Sequence, residues 1–186
     1  MRNSVVKVLL LTLLVSCEHN GGLENKMVDP DYLEELDGLS ILDSLTYAFE
    51  TESLIMSAKI MELSTGLELR LEHLDLENRV IGYISDIQCS TCIDQELELI
   101  KEVYGKEEFI LFANYSSMRD LKLYLLLRDF EFPTYMIHST LSNLLTRFTN
   151  PTFFILGGGE SPRAVFFASI STPNRSREYH ELMAHR

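Results

Sequence analysis

The passage from Val80 to Cys92 narrows the possible folds more than any other. Val80-Ile81-Gly82-Tyr83-Ile84 is an unbroken apolar run, as expected of a central strand covered on both faces. Cys89-Ser90-Thr91-Cys92 follows a few residues later. Beyond it, Ile93, Leu97, Ile100 and Tyr104 recur at steps of four, three and four, which is one face of an amphipathic helix. Two cysteines are thus expected where a buried strand gives way to a helix. There, unpaired backbone N–H groups and the positive end of the helix dipole favour a thiolate, lowering the free-cysteine pKa of ~8.5. Cys89 is the expected nucleophile, and Cys92, one turn along, can resolve a mixed disulfide.

The other elements are read from periodicity. Leu67, Leu69 and Leu71 alternate with Glu68, Arg70 and Glu72, a half-buried strand that Ser64-Thr65-Gly66 could join to residues 59–63 as a hairpin. Phe109 to Ala113 reads as a second buried strand, and Ser117 to Phe130 as an apolar helix. Phe153 to Leu156 reads as a third strand, broken by Gly157-Gly158-Gly159, with Ala164 to Ala168 as its antiparallel partner. Arg177 to Met183 reads as a closing helix capped by Asn174 or Ser176. Alternation of this kind predicts an α/β fold: a central mixed sheet with helices on both faces, finished by a C-terminal antiparallel hairpin and a helix.

The N-terminus reads as an address. Arg2 and Lys7 precede a short apolar run, Val8 to Val15, that ends at Ser16-Cys17. The run falls well below the ~20 residues a membrane-spanning helix needs, and the pattern is that of a secretory signal. Leu14-Val15-Ser16-Cys17 resembles the lipobox of bacterial lipoproteins, which implies a signal peptide over 1–16 and acylation of Cys17, with the membrane as a partner. A buried N-terminal strand with an incidental cysteine is the alternative. Residues 17–55 then form a lipidated N-terminus and acidic tether, with a short helix possible around Tyr32 to Leu42, and 56–186 the folded domain.

Charge and cysteine count exclude several classes. A formal net charge of −12 lacks the basic footprint that nucleic acid or an anionic membrane surface demands. Residues 1–16 carry Arg2 and Lys7 and no acid, so processing would make the chain more acidic still. Three cysteines are too few for a disulfide scaffold or a four-thiolate zinc site. With Cys17 lipidated, the remaining two are Cys89 and Cys92. No second pair completes a metal site, and nothing brings His138 close enough to serve as a copper ligand, so neither a metal nor any cofactor is expected. An inert structural disulfide is the stronger alternative.

With these residues in view, residues 80–92, the helix beyond them and Asn150-Pro151-Thr152-Phe153-Phe154 resemble the thioredoxin superfamily, and within it the TlpA-like exported thiol–disulfide oxidoreductases. The similarity covers roughly Lys59 to Met183, with Glu131-Phe132-Pro133-Thr134-Tyr135 matching the segment that joins the second helix to the distal strands. The resemblance implies a thioredoxin-like fold, protein disulfide substrates, a thiol electron donor in the envelope, and reductive work in the periplasm or extracytoplasmic space. It also implies a substrate groove built on Asn150, Pro151 and Thr152, where the family places a cis-proline; an ordinary trans proline opening a strand is the alternative.

The chain departs from the family in three places. Gln88 stands where members often carry Trp, Tyr83 where thioredoxins proper place a buried Asp, and Ser-Thr between the cysteines. Asp86, Asp94 and Glu96 could offset the dipole, or one of them could accept the Cys92 proton, Glu96 being the candidate. These departures motivate a second expectation, a non-catalytic lipoprotein that uses the fold as a binding module with a structural disulfide.

Overall fold

The computed structural model describes residues 46, 48, 50, 53–137, 141, 145, 148–156 and 161–186. Cys17, the proposed signal peptide, most of the proposed tether, the helix expected around Tyr32 to Leu42, His138 and the Gly157-Gly158-Gly159 break lie outside them; of the tether's last residues, Leu54 is buried in the core.

Seven strands form one mixed sheet: β1 (Lys59–Glu62), β2 (Glu68–Arg70), β3 (Val80–Ser85), β4 (Phe109–Asn114), β5 (Thr134–Ile137), β6 (Thr152–Leu156) and β7 (Pro162–Phe167). Their order is β2-β1-β5-β4-β3-β6-β7. Strands β3, β4 and β5 are mutually parallel, while β1, β6 and β7 pair antiparallel to their neighbours. Among the described residues, three helices with complete bounds accompany the sheet: α1 (Ser90–Val103), α2 (Met118–Leu126) and α3 (Pro173–Ala184). The expected mixed sheet, hairpin and closing helix are all present.

Every residue of β3 is buried, as its unbroken apolar run requires. Alternation then divides the core. Val80, Ile84, Phe109, Leu111 and Phe153 meet Ile93, Leu97 and Ile100 of α1, Leu121 and Leu125 of α2, and Tyr179 of α3 on one face. Both parallel crossovers step the same way along the sheet, so α1 and α2 belong on one face. On the other, Ile81, Tyr83, Ile110, Phe112 and Phe154 pack against Leu54, Leu71 of a 3-10 turn (Leu71–His73), Leu141, Leu145 and Phe148.

Gly82, midway along β3, leaves room for the ring that crosses it. A Cβ there would stand 2.6 Å from Phe109 Cζ. At the β1–β2 turn, Gly66 adopts φ +76°, a conformation that favours glycine, so the expected hairpin forms.

Three expectations need correction. Residues 131–135 are not merely a joining segment, because β5 inserts between β1 and β4. Its four residues are too few to show a periodicity. Helix α2 stops at Leu126 rather than running to Phe130. The chain turns there through Asp129 at φ +49°, with Phe130 N–H bonded to Leu125 C=O and Asp129 N–H to Leu126 C=O, the Schellman pattern. Helix α3 opens at Pro173, with Thr172 at its cap position making no side-chain cap bond. Ser176 lies inside the helix and spends its hydroxyl elsewhere.

Candidate thiol site

The site forms where β3 ends. Asp86 N–H bonds to Asn114 C=O at 3.2 Å and Gln88 N–H to Ser85 C=O at 3.1 Å, which turns the chain sharply into α1. Cys89 is the N-cap, extended at φ −61° and ψ 113°. Its sulfur accepts the Cys92 N–H at 3.4 Å, the bond a Ser or Asp makes at other helix starts. Cys89 is exposed and Cys92 is 6% exposed.

This asymmetry divides the two thiols chemically. The bond from the Cys92 thiol, then the N–H groups of Cys92 and Thr91, hold Cys89 below the ordinary thiol pKa, with desolvation and, more weakly, Asp94 opposing. Burial pushes Cys92 above it, aided by the hydrogen bond to Cys89 and the charge there, and the Ile170 backbone only partly offsets this. The site thus offers an accessible, readily ionised sulfur beside a covered, protonated one. Ile87 and Ile170, 69% and 51% exposed, stand near the pair in sequence or by contact and supply apolar surface.

Gln88 ties this turn to the distal strand. Its amide oxygen accepts from Ser85 N–H at 3.0 Å, and its nitrogen donates to Asn150 C=O at 2.8 Å and Phe148 C=O at 3.3 Å. The residue beside Cys89 is thereby tied to Asn150, which directly precedes Pro151 and Thr152. Asn150 Nδ2 donates to Ala168 C=O at 2.7 Å, the Thr152 hydroxyl to Asn150 C=O at 3.2 Å, and Ala168 N–H to Pro151 C=O at 2.9 Å. Pro151 is buried, and the described residues contain no cis peptide bond. It therefore takes the trans form of a strand-opening proline, and the cis form implied by the resemblance is not found.

The acidic residues near the pair are each engaged. Asp86 accepts the Ser116 N–H at 3.0 Å. Asp94 is held by both Nε and Nη2 of Arg128, the latter at 2.8 Å, and by the Tyr124 hydroxyl. Arg128, then Tyr124, keeps its carboxyl below the usual carboxylate range. Glu96 is 5% exposed and faces α3: the Ser176 hydroxyl donates to Oε1 at 2.7 Å, and His180 Nε2 lies 3.0 Å from Oε2. The Tyr104 hydroxyl lies 3.0 Å from His180 Nδ1, so a proton on Nε2 satisfies both ring contacts. Both Glu96 oxygens are thus bonded to α3. Tyr83, 2% exposed, has its hydroxyl pKa raised by burial.

Among the described residues, no group of three or more His, Cys, Asp or Glu could hold a metal ion. Sequence reasoning missed Gln88 and Arg128. In the sequence Gln88 stands out only as a missing Trp, and no local signal marks Arg128.

No protein-family model matches the chain, and no curated protein matches it in sequence. Among solved structures it is similar to a secreted disulfide oxidoreductase of Mycobacterium tuberculosis homologous to Escherichia coli DsbE. The two share 10% identity at a TM-score of 0.51, covering 68% of this chain and 96% of that one. It is also similar to a thioredoxin-like protein from Porphyromonas gingivalis, at 14% identity and a TM-score of 0.48 over 69% of this chain and 90% of that one. A thiol:disulfide interchange protein from Chlorobium tepidum follows, at 13% and 0.46 over 72% and 97%. Identities this low speak to architecture alone, and the first comparison establishes it: the domain described here has the thioredoxin-like fold.

Proposed function

We propose that this protein is a thiol–disulfide oxidoreductase that reduces disulfides of envelope proteins through Cys89 and Cys92. The observation that carries the reading is the split between the two thiols, one exposed and held below the ordinary thiol pKa, the other buried and held above it. The Cys89 thiolate attacks a substrate disulfide, forming a mixed disulfide and releasing one substrate thiolate. Cys92 then loses its proton and attacks the Cys89 sulfur. The second substrate thiol leaves, and two electrons have passed from the pair to the substrate. A dithiol donor in the envelope returns the pair to the reduced state. Asn150, Pro151 and Thr152 border the groove in this reading, with Ile87 and Ile170 offering apolar contact to a protein chain. Glu96 is the proposed acceptor of the Cys92 proton, a role that requires it to exchange a bond to α3 for one to the thiol.

The same proposal places the domain outside the cytoplasm, tethered to a membrane by lipid on Cys17 after removal of residues 1–16. Cys17→Ala should abolish incorporation of a fatty-acid label, and labelling that persists would refute the anchor. For the chemistry, Cys89→Ser should abolish reduction of insulin disulfides, whereas retained turnover removes Cys89 from the mechanism. The binding-module alternative expects a Cys89 that alkylates slowly. Its exposure and lowered pKa favour the enzyme, so at neutral pH iodoacetamide should modify Cys89 well before Cys92.

A further inference from the structure

Asp94 lies in the opening turns of α1, whose N-cap is Cys89, and is the carboxylate whose charge opposes ionisation of that thiol; its surroundings amount to a built clamp. The Arg128 guanidinium meets both carboxylate oxygens through Nε and Nη2 and stacks on the Tyr124 ring at 3.7 Å from the centroid. Its Nη1 donates to Tyr124 C=O at 2.9 Å, and the Tyr124 hydroxyl donates to Asp94.

The backbone that carries Arg128 is fixed as well. Arg128 lies inside the Schellman turn that ends α2, with Asp129 left-handed at φ +49° and Leu125 and Phe130 packed in the core. Lys101 of α1 donates to Arg128 C=O at 2.7 Å. The arginine is thus anchored to α1 through its backbone while its side chain grips α1 near the helix start.

We propose that Arg128 is a positioning residue for the thiol pair: by gripping both oxygens of Asp94, it offsets that carboxylate's charge and sets how readily Cys89 acts as a nucleophile. The inference rests on the oxidoreductase reading of the pair and names the device that tunes it. An ammonium could not do the same work, since only the guanidinium fork matches both carboxylate oxygens. The other titratable groups facing the cluster are Tyr115, pushed up to about 12 by burial, Asp86, bonded to Ser116, and Cys92.

The test is the pH profile of Cys89 alkylation by iodoacetamide, mapped by mass spectrometry on the full chain. Arg128→Gln should shift the profile to higher pH and slow the reaction at pH 7 by about two- to fivefold, the size expected of one uncompensated charge near the surface. Arg128→Lys should fall between it and the parent. Asp94→Asn, which leaves the guanidinium unopposed, should react faster than the parent, and adding it to Arg128→Gln should abolish the slowing. An Arg128→Gln profile that superimposes on the parent overturns the proposal, as does a double variant as slow as Arg128→Gln alone. If Arg128→Gln does not fold, an unchanged Asp94→Asn profile overturns it equally. Alkylation needs no disulfide substrate, so this result stands apart from whether the protein reduces insulin.

Discussion

Replacing Gln88 by Ala removes one amide and with it three bonds, to Ser85 N–H at 3.0 Å, Asn150 C=O at 2.8 Å and Phe148 C=O at 3.3 Å. The side chain is 7% exposed, so water cannot replace it freely. Each bond contributes about 0.5–1.5 kcal/mol net, and the longest lies at the weak end of the range. Asn150 C=O keeps the Thr152 hydroxyl, which softens one loss, and the sum comes to about 2–3 kcal/mol. For a domain of this size each kcal/mol moves Tm by roughly 3–5 °C, so Gln88→Ala should melt about 6–15 °C lower.

Gln88→Glu sharpens the test, because its carboxylate would face two carbonyl oxygens that need a donor. Its folded pKa must then rise above the unfolded glutamate value of ~4.3. A group raised in this way supports the fold fully below the unfolded value and loses that support as pH climbs through the folded one. The gap in Tm between the parent and Gln88→Glu should therefore widen between pH 4 and pH 8. An Ala variant melting within about 2 °C of the parent, against the drop expected, would refute the clasp, and so would a Glu variant whose gap ignores pH.

Two further substitutions probe the core around the site. Gly82→Ala places a Cβ 2.6 Å from Phe109 Cζ, 3.1 Å from Phe153 Cε1 and 3.2 Å from Leu111 Cδ1. Phe109 is hemmed in by Tyr104, Phe130, Phe132 and Phe153, so the overpacking should cost about 1–3 kcal/mol in a denaturant titration; an unchanged midpoint would mean the ring moves aside. His180→Ala strips Glu96 and the Tyr104 hydroxyl of a shared buried partner and should cost about 3 kcal/mol or more. A loss under about 1 kcal/mol by the same titration would be no more than one ordinary hydrogen bond contributes and would deny the network its part in joining α1 to α3.

What the sequence revealed follows from the reach of each signal. The inward face of α1 could be read because Ile93, Leu97, Ile100 and Tyr104 repeat at helical spacing within one element, and the structure buries all four. Strand β5 was invisible because four residues behind a proline carry no period. The end of α2 depends on a left-handed aspartate at 129, where glycine would have announced the stop. At the site, the cysteine pair could be found by its spacing and flanks. The place of Pro151 before β6 was legible too, but the isomer of its peptide bond was not. Gln88 and Arg128 act on partners some sixty and thirty residues away, and no local pattern encodes a long-range contact. Asp94 was legible as a charge, while the guanidinium that neutralises it was not.

The cap that exposes Cys89 also bears on which way electrons move. A thiolate accepts the Cys92 N–H better than a disulfide sulfur can, so the cap favours the reduced pair. Stabilising the reduced form makes a dithiol a stronger oxidant, the logic of the most oxidising envelope proteins at ~ −120 mV. Two features pull the other way: the part of the Asp94 charge that Arg128 leaves uncompensated, which acts to raise the Cys89 pKa, and the chain's formal charge of −12. Negative charge disfavours the thiolate and so favours the disulfide, which makes the reduced pair a better donor. The reductive role proposed above requires this second pair of features to prevail. A potential near the ~ −270 mV of thioredoxin, measured against a glutathione buffer, would show that they do. A value near the oxidising extreme would show the cap in control, and the protein would then take electrons from its partners instead of giving them.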